Sequence, residues 1–362
     1  MKLSVCLIVK DEEPVLARCL SCAVQFADEL IVVDTGSSDK SVEIARSFTE
    51  LVYLHPWQGS FAEARNYSYS KATGDYIMWL DADDVVDDDN IARINALKAN
   101  TSPDTDVIFT IYGGDVRTGL EQYILRDRMI KRSLNPEWKY DIHEAIPVKK
   151  EWKRFYASDI KIMHKKEHVN DPNRNMDIFN RLLRENRKLS NFEKVNLCKE
   201  YSLNGMHDKA CALFVEIAPH SSLTGLDYAF FFARHSFVNE KRYSECIAEI
   251  ESLEASGLHT ALITYTKAFC KQRLGDEVEA EALFNEAMSI PDDPTTLSII
   301  HPGYNNYYPL LALSAIADRR GDRQTALDWL ARARANYPKD QDWQDLRMMI
   351  FMGLTERWTP SL

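Results

Sequence analysis

The chain has 362 residues, and 44 Lys and Arg against 55 Asp and Glu leave a net charge of −11. Its 45% hydrophobic and 27% charged residues are globular values that exclude a disordered or fibrous chain, and the length predicts two domains. The acidic balance excludes a general nucleic-acid binder, which needs a basic stripe against phosphates. No apolar run reaches the roughly 20 residues of a membrane span. Leu3–Val9 is short and runs straight into Lys10-Asp11-Glu12-Glu13, which is not a signal peptide. Seven Cys, an odd count, then predict free thiols and a cytoplasmic location.

The first part of the chain alternates short apolar runs with amphipathic stretches, the pattern of βαβ units on a mostly parallel sheet. Strands are predicted at Leu3–Val9, Glu29–Val33, Leu51–Leu54, Tyr76–Leu80 and Val107–Tyr112. Each is nearly continuous in apolar residues, as a strand buried on both faces is. Helices are predicted near Val15–Val24, Lys40–Phe48, Phe61–Ala72 and Asn90–Lys98, the third opened by a capping box at Ser60-Phe61-Ala62-Glu63. From about Asp177 helical periodicity takes over, and an internal repeat appears. Gly205 and Gly275 lie 70 residues apart, two periods of 35, each inside a similar set of Leu, Tyr, Ala and Phe positions. Another copy passes through Ala229, Ala233, Asn239, Tyr243 and Cys246, and a last one through Gly321-Asp322. The period is close to that of tetratricopeptide helix pairs. An insertion is expected between Gly275 and Gly321, in the Pro- and Asp-rich stretch from Pro291 to Gly303.

Seven Asp fall between Asp75 and Asp89 with no Lys or Arg among them. Carboxylates at that density repel unless a hard divalent cation or solvent screens them. Asp87–Asp89 read as a solvated helix cap. Asp81-Ala82-Asp83-Asp84 instead follows an apolar strand, where ligands of open α/β sheets bind. Asp34-Thr35-Gly36-Ser37-Ser38-Asp39 also joins a strand to a helix and offers a carboxylate and backbone donors. Ala64-Arg65-Asn66 adds a fixed cation suited to a diphosphate and an amide.

These segments, in this order, resemble the nucleotide-sugar domain of family 2 glycosyltransferases. The similarity covers about residues 1–165, and the helical repeats at 166–362 resemble those of a subset that includes bacterial peptide S-glycosyltransferases. The resemblance implies an α/β GT-A fold followed by an all-α tetratricopeptide-like domain. It implies that Asp34, Glu12, Arg65, Asn66 and Asp84 line the nucleotide side, that Asp81 holds ribose or metal, and that Asp83 binds Mn²⁺ or Mg²⁺. Trp138-Lys139-Tyr140-Asp141-Ile142-His143-Glu144 is similar to the family's aromatic-to-His-Glu segment, so Glu144 falls where the base stands, with Asp141 its rival. His164, or alternatively His143, completes the metal set.

The expected activity is inverting transfer of a sugar, from a UDP-hexose or another nucleotide sugar, to a peptide or protein side chain or else a saccharide. The helical repeats are expected to engage the acceptor, and a homodimer is the self-association they allow. Two alternatives are a peptide-binding adaptor with an inactive transferase domain and a nucleotidyltransferase. The intact Asp81, Asp83, Arg65 and Glu144 set argues against the first, and the acidic Lys10–Glu13 turn against the second, which would carry a basic Gly-rich phosphate loop. Cys19-Leu20-Ser21-Cys22 has zinc spacing but no second pair, and reads as core thiols on a helix.

Overall fold

A computed structural model describes residues 1–114, 122–165, 173–292, 301 and 303–336. Two compact units divide it. The first holds an eight-stranded mixed sheet, β1 (Leu3–Val9), β2 (Glu29–Asp34), β3 (Val52–Leu54), β4 (Tyr76–Leu80), β5 (Asp84–Val85), β6 (Val107–Gly114), β7 (Gln122–Lys131) and β8 (Arg154–His164). The strand order is β3-β2-β1-β4-β7-β6-β8-β5. The helices of this unit are α1 (Leu16–Ala23), α2 (Ser41–Phe48), α3 (Phe61–Tyr69), α4 (Asp88–Asn100) and α5 (Arg174–Arg184).

Both faces of the central strands are dry, which is why the sequence runs were continuous rather than alternating. Leu3, Val5, Leu7, Val32, Met78 and Leu80 pack into one core. Cys6, Ile31, Val33, Ile77 and Trp79 pack into another on the opposite face. Each fully buried Leu, Val or Ile contributes about 1.5–3 kcal/mol relative to exposure. Parallel register sets Val9 beside Asp34 and Leu7 beside Leu80. The carboxyl ends of β1, β2 and β4 therefore open at one edge, and the loops that follow them converge there.

The first unit ends at Lys188, beyond the expected boundary at Lys165, because α5 belongs with the sheet. Met176, Phe179 and Leu182 are buried, and Arg181 donates to the Gly59 carbonyl at 2.9 Å.

From Leu189 the chain is helical among the described residues. It runs through α6 (Asn191–Leu203), α7 (His207–Ile217), α8 (Leu223–Asn239), α9 (Tyr243–Ala255), α10 (Ala261–Arg273), α11 (Glu277–Ala287), the short α12 (Gly303–Asn306), α13 (Tyr308–Arg319) and α14 (Arg323–Asn336). The pairs α6/α7, α8/α9, α10/α11 and α13/α14 turn at Gly205, Lys241, Gly275 and Gly321, all with positive φ. Three of these positions carry Gly, which takes left-handed backbone without a Cβ clash. The second carries Lys241 at φ 55°, so its period is not visible as a glycine spacing. The expected insertion lies partly outside the described residues, at 293–300 and 302. In α8, Phe230 and Phe231 are buried in the helical core, and Tyr228 and Phe232 pack half-buried at its rim. None of the described helices is long and apolar enough to cross a membrane.

Candidate active site

The acidic turn leaves β4 at Leu80 and is closed locally. Asp84 N donates to the Asp81 carbonyl at 3.0 Å, and Asp81 N to Asp84 Oδ2 at 3.0 Å. These bonds turn the chain so that β5 can start at Asp84 and pair with β8, where Asp84 stands opposite His164. His164 Nδ1 meets Asp83 Oδ1 at 3.0 Å and Asp84 Oδ1 at 3.4 Å. Burial disfavours a charged imidazole, but the two carboxylates prevail and push His164 up to about 9.

Ligand atoms of Asp81, Asp84 and His164 all lie within 4.8 Å of one another, and among the described residues they are the one such group of three. Two carboxylate oxygens and an imidazole suit a divalent ion of the Mg²⁺ or Mn²⁺ type. Asp83, the expected ligand, is buried and turned to His164, and lies outside that group. His143, the alternative, sits in a left-handed turn (φ 53°) with its ring 6.2 Å from that of Phe179 on α5.

Arg65 joins the acidic turn to the segment at 138–146. It sits on α3, whose N-cap Ser60 accepts from Glu63 N. The capping box expected there is only half made, since the Glu63 carboxylate turns to His55 Nε2 at 2.7 Å. The Arg65 guanidinium is buried, donating from Nη2 to Asp81 Oδ1 and from Nε to Glu144 Oε1, both at 2.7 Å. Its Cζ lies 5.0 Å from the Trp79 ring centre and 4.9 Å from that of Trp138. Burial raises the cost of charge on Asp81, yet Arg65 and Arg128 outweigh it and hold the carboxyl well below its usual range. Burial likewise works against the charge of Arg65, and the two acids keep it firmly protonated.

The remaining residues divide by what they touch. Asn66 donates to the Trp138 carbonyl at 2.9 Å and accepts from Trp138 N at 2.8 Å. Its amide therefore anchors the Trp138 segment. Asp141 pairs with Arg187 at 3.0 Å and Arg181 at 3.4 Å, which commits it to holding the chain at α5. Asp34 accepts from Gly36 N at 3.0 Å and Ser37 N at 3.1 Å and shapes its own turn, with Gly36 at φ 111°. Glu12 N donates to Ser41 Oγ at 2.8 Å, tying the β1 loop to α2 at the same edge. Asp87 caps α4 by accepting from Asn90 N at 2.9 Å, the solvated role expected. Cys19 is buried with its Sγ 3.2 Å from the Asp81 carbonyl, and burial pushes its thiol up. It is a core thiol, as expected.

Sequence reasoning missed Arg128 on β7 and Tyr112 on β6. Arg128 pairs with Asp84 Oδ2 at 3.1 Å, both side chains wholly buried, and Tyr112 O–H lies 3.4 Å from Asp81 Oδ2. Little local signal was available, since Arg128 shares its strand with Arg126, Asp127 and Lys131.

Residues 4–166 match the model of the glycosyl transferase family 2. A TPR repeat-containing protein of Synechococcus elongatus is 30% identical over 145 residues, 40% of this chain and 35% of its own. An uncharacterized glycosyltransferase of Rickettsia typhi is 29% identical over 122 residues, 32% of this chain and 41% of its own. The chain thus spans about two fifths or less of these relatives. Glucosyl-3-phosphoglycerate synthase from Mycobacterium tuberculosis, solved with Mn²⁺ and UDP-glucose, aligns at 21% identity with a TM-score of 0.27, covering 31% of this chain and 43% of that one. The sheet order, the acidic turn at its carboxyl edge and the family match agree, and the N-terminal part of this chain is a glycosyl transferase family 2 domain of GT-A type, followed by a helical region.

Proposed function

We propose that this chain is an inverting glycosyltransferase that moves a sugar from a UDP-activated donor to an acceptor hydroxyl or thiol. The observation that carries the reading is the single guanidinium of Arg65 bonded at once to Asp81 and Glu144. It sets a candidate base at a fixed place relative to the acidic turn. Asp81, Asp84 and His164 would hold Mn²⁺ or Mg²⁺, and Asp34 and Glu12 would border the nucleotide. A divalent cation bound there offsets the charge that gathers on a departing diphosphate.

Glu144 receives the acceptor's proton, with Oε2 outside its ion pair with Arg65. The acceptor's lone pair forms the new bond to the anomeric carbon as the bond to the diphosphate oxygen breaks, and UDP leaves with that electron pair. One displacement inverts the centre. Arg65 adds a fixed positive charge beside the turn where the leaving group's charge develops. The helical pairs would take a peptide or protein acceptor, a saccharide being second, since stacked helix pairs make extended surfaces. A cytoplasmic location accords with seven free thiols.

A nucleotide-sugar panel with Mn²⁺ or Mg²⁺, scored for UDP release, tests this. Slow donor hydrolysis that chelator abolishes is expected. Pyrophosphate release in its place would make the chain a nucleotidyltransferase, and no turnover of any sugar nucleotide would refute the reading.

A further inference from the structure

Arg128 comes from the middle of the sheet and not from any loop that lines the site. Its guanidinium is fully buried, as is the carboxylate of Asp84. Nη1 lies 3.1 Å from Asp84 Oδ2 in an ion pair and donates to the Trp79 carbonyl at 3.1 Å. The group packs against two rings, its Cζ 3.6 Å from the centre of Trp79 and 4.3 Å from that of Tyr112. Nε and Nη2 find no hydrogen-bond partner among the described residues.

Burying a cation with two donors unmatched is unfavourable. A Met at this strand position would fill similar space without that cost. The compensating contact is with Asp84. Oδ2 of that carboxylate accepts from Asp81 N at 3.0 Å and lies 3.1 Å from the buried Arg128 cation, so a donor and a charge from different directions hold it. Oδ1 is then the oxygen turned to His164. Lys in place of Arg128 would restore a charge but not the flat group that packs against Trp79 and Tyr112.

We infer that Arg128 is a positioning residue that orients Asp84 from behind, so that Oδ1 stands with Asp81 and His164 ready for a divalent cation. Arg128 itself is no ligand. The inference rests on the reading of Asp81, Asp84 and His164 as the ligand set, and it deepens that reading by naming what pre-organises it.

The test uses the purified full chain and Mn²⁺ alone, with unbound Mn²⁺ measured by electron paramagnetic resonance and no turnover required. Arg128→Met should weaken Mn²⁺ binding at least tenfold and Arg128→Lys by less. Added to Asp84→Asn, Arg128→Met should change affinity by less than twofold, because the residue acts through Asp84. Parent-like affinity in Arg128→Met, or a full tenfold loss persisting in the Asp84→Asn background, overturns the inference while leaving the ligand set standing. A parent chain that binds no Mn²⁺ overturns the ligand set, and the inference with it. If Arg128→Met alone does not fold, the double variant lacks the unpaired buried carboxylate, and its comparison with Asp84→Asn decides in the same way.

Discussion

Asp84 and His164 stand 80 residues apart in the chain and face each other as antiparallel partners where β5 meets β8. Their pairing also carries a proton. A His164 held at about 9 lies above its unfolded value of roughly 6.5. The stabilisation is therefore complete below about pH 6.5 and is lost as pH rises through about 9. Thermal melts of chelator-treated protein should show Tm falling across that window, and His164→Gln should flatten the fall. A cation that takes Nδ1 displaces the proton, so Mn²⁺ affinity should rise with pH up to about 9. A pH-independent Mn²⁺ affinity would remove His164 from the ligand set.

Glu144→Gln keeps shape and the bond to Arg65 while losing basicity. It should lower kcat by about 10²–10⁴ and leave UDP-sugar binding near the parent value. Asp141→Asn should behave differently, since Asp141 is held between Arg181 and Arg187. It should lower Tm and spare kcat of the folded protein. Reversal of the two outcomes would make Asp141 the base.

Arg65 holds two carboxylates with one cation, and its side chain is only 7% exposed. Arg65→Met strands both acids and should cost about 3–5 kcal/mol in denaturant unfolding. Arg65→Lys keeps the charge, loses the fork, and should retain more of the stability than of kcat. An Arg65→Met chain as stable as the parent would show that the pairs contribute nothing net.

Strands β1, β2 and β4 were legible because burial on both faces writes an unbroken apolar run, whereas β7 and β8, with charged residues along them, were not expected. The acidic turn was legible because no cation dilutes it. The β5–β8 pairing was not, since a two-residue strand has no pattern of its own and its partner comes from a segment with mixed periodicity. The bonds of Asn66 to the Trp138 backbone were not legible, because an amide in a motif gives no hint of which neighbouring backbone it meets. The third contact of Asp84, from Arg128, needed the register of β7 against β4, which no local pattern encodes. In the helical part, Gly205, Gly275 and Gly321 marked the turns, whereas Lys241 hid one of them.

That hidden turn gives a stability prediction. Lys241→Gly relieves a left-handed backbone and should stabilise the chain by up to about 1 kcal/mol. Gly275→Ala, at φ 88°, should destabilise it by a similar amount. Denaturant midpoints of both variants check the pair, and a destabilised Lys241→Gly would show that the Lys side chain itself stabilises the turn.

A fragment ending at Lys165 lacks α5 and should be poorly soluble, because the surface that Phe179 and Leu182 cover would be bare. A fragment ending at Lys188 should fold and bind UDP. Equal yields and Tm for the two fragments would show that α5 is dispensable.

The dryness of both sheet faces bears on how this architecture can diversify. In β1, β2 and β4 nearly every side chain is enclosed, so any replacement there must respect volume on one side or the other. Such strands have little freedom to drift. New donor or acceptor preferences can arise cheaply only past the strand ends and along the helix pairs, where a change of side chain disturbs no core. Comparative sequencing across related organisms should therefore find the strand positions nearly fixed in size, with variation crowded into the loops beyond Val9 and Asp34 and onto the exposed helical residues.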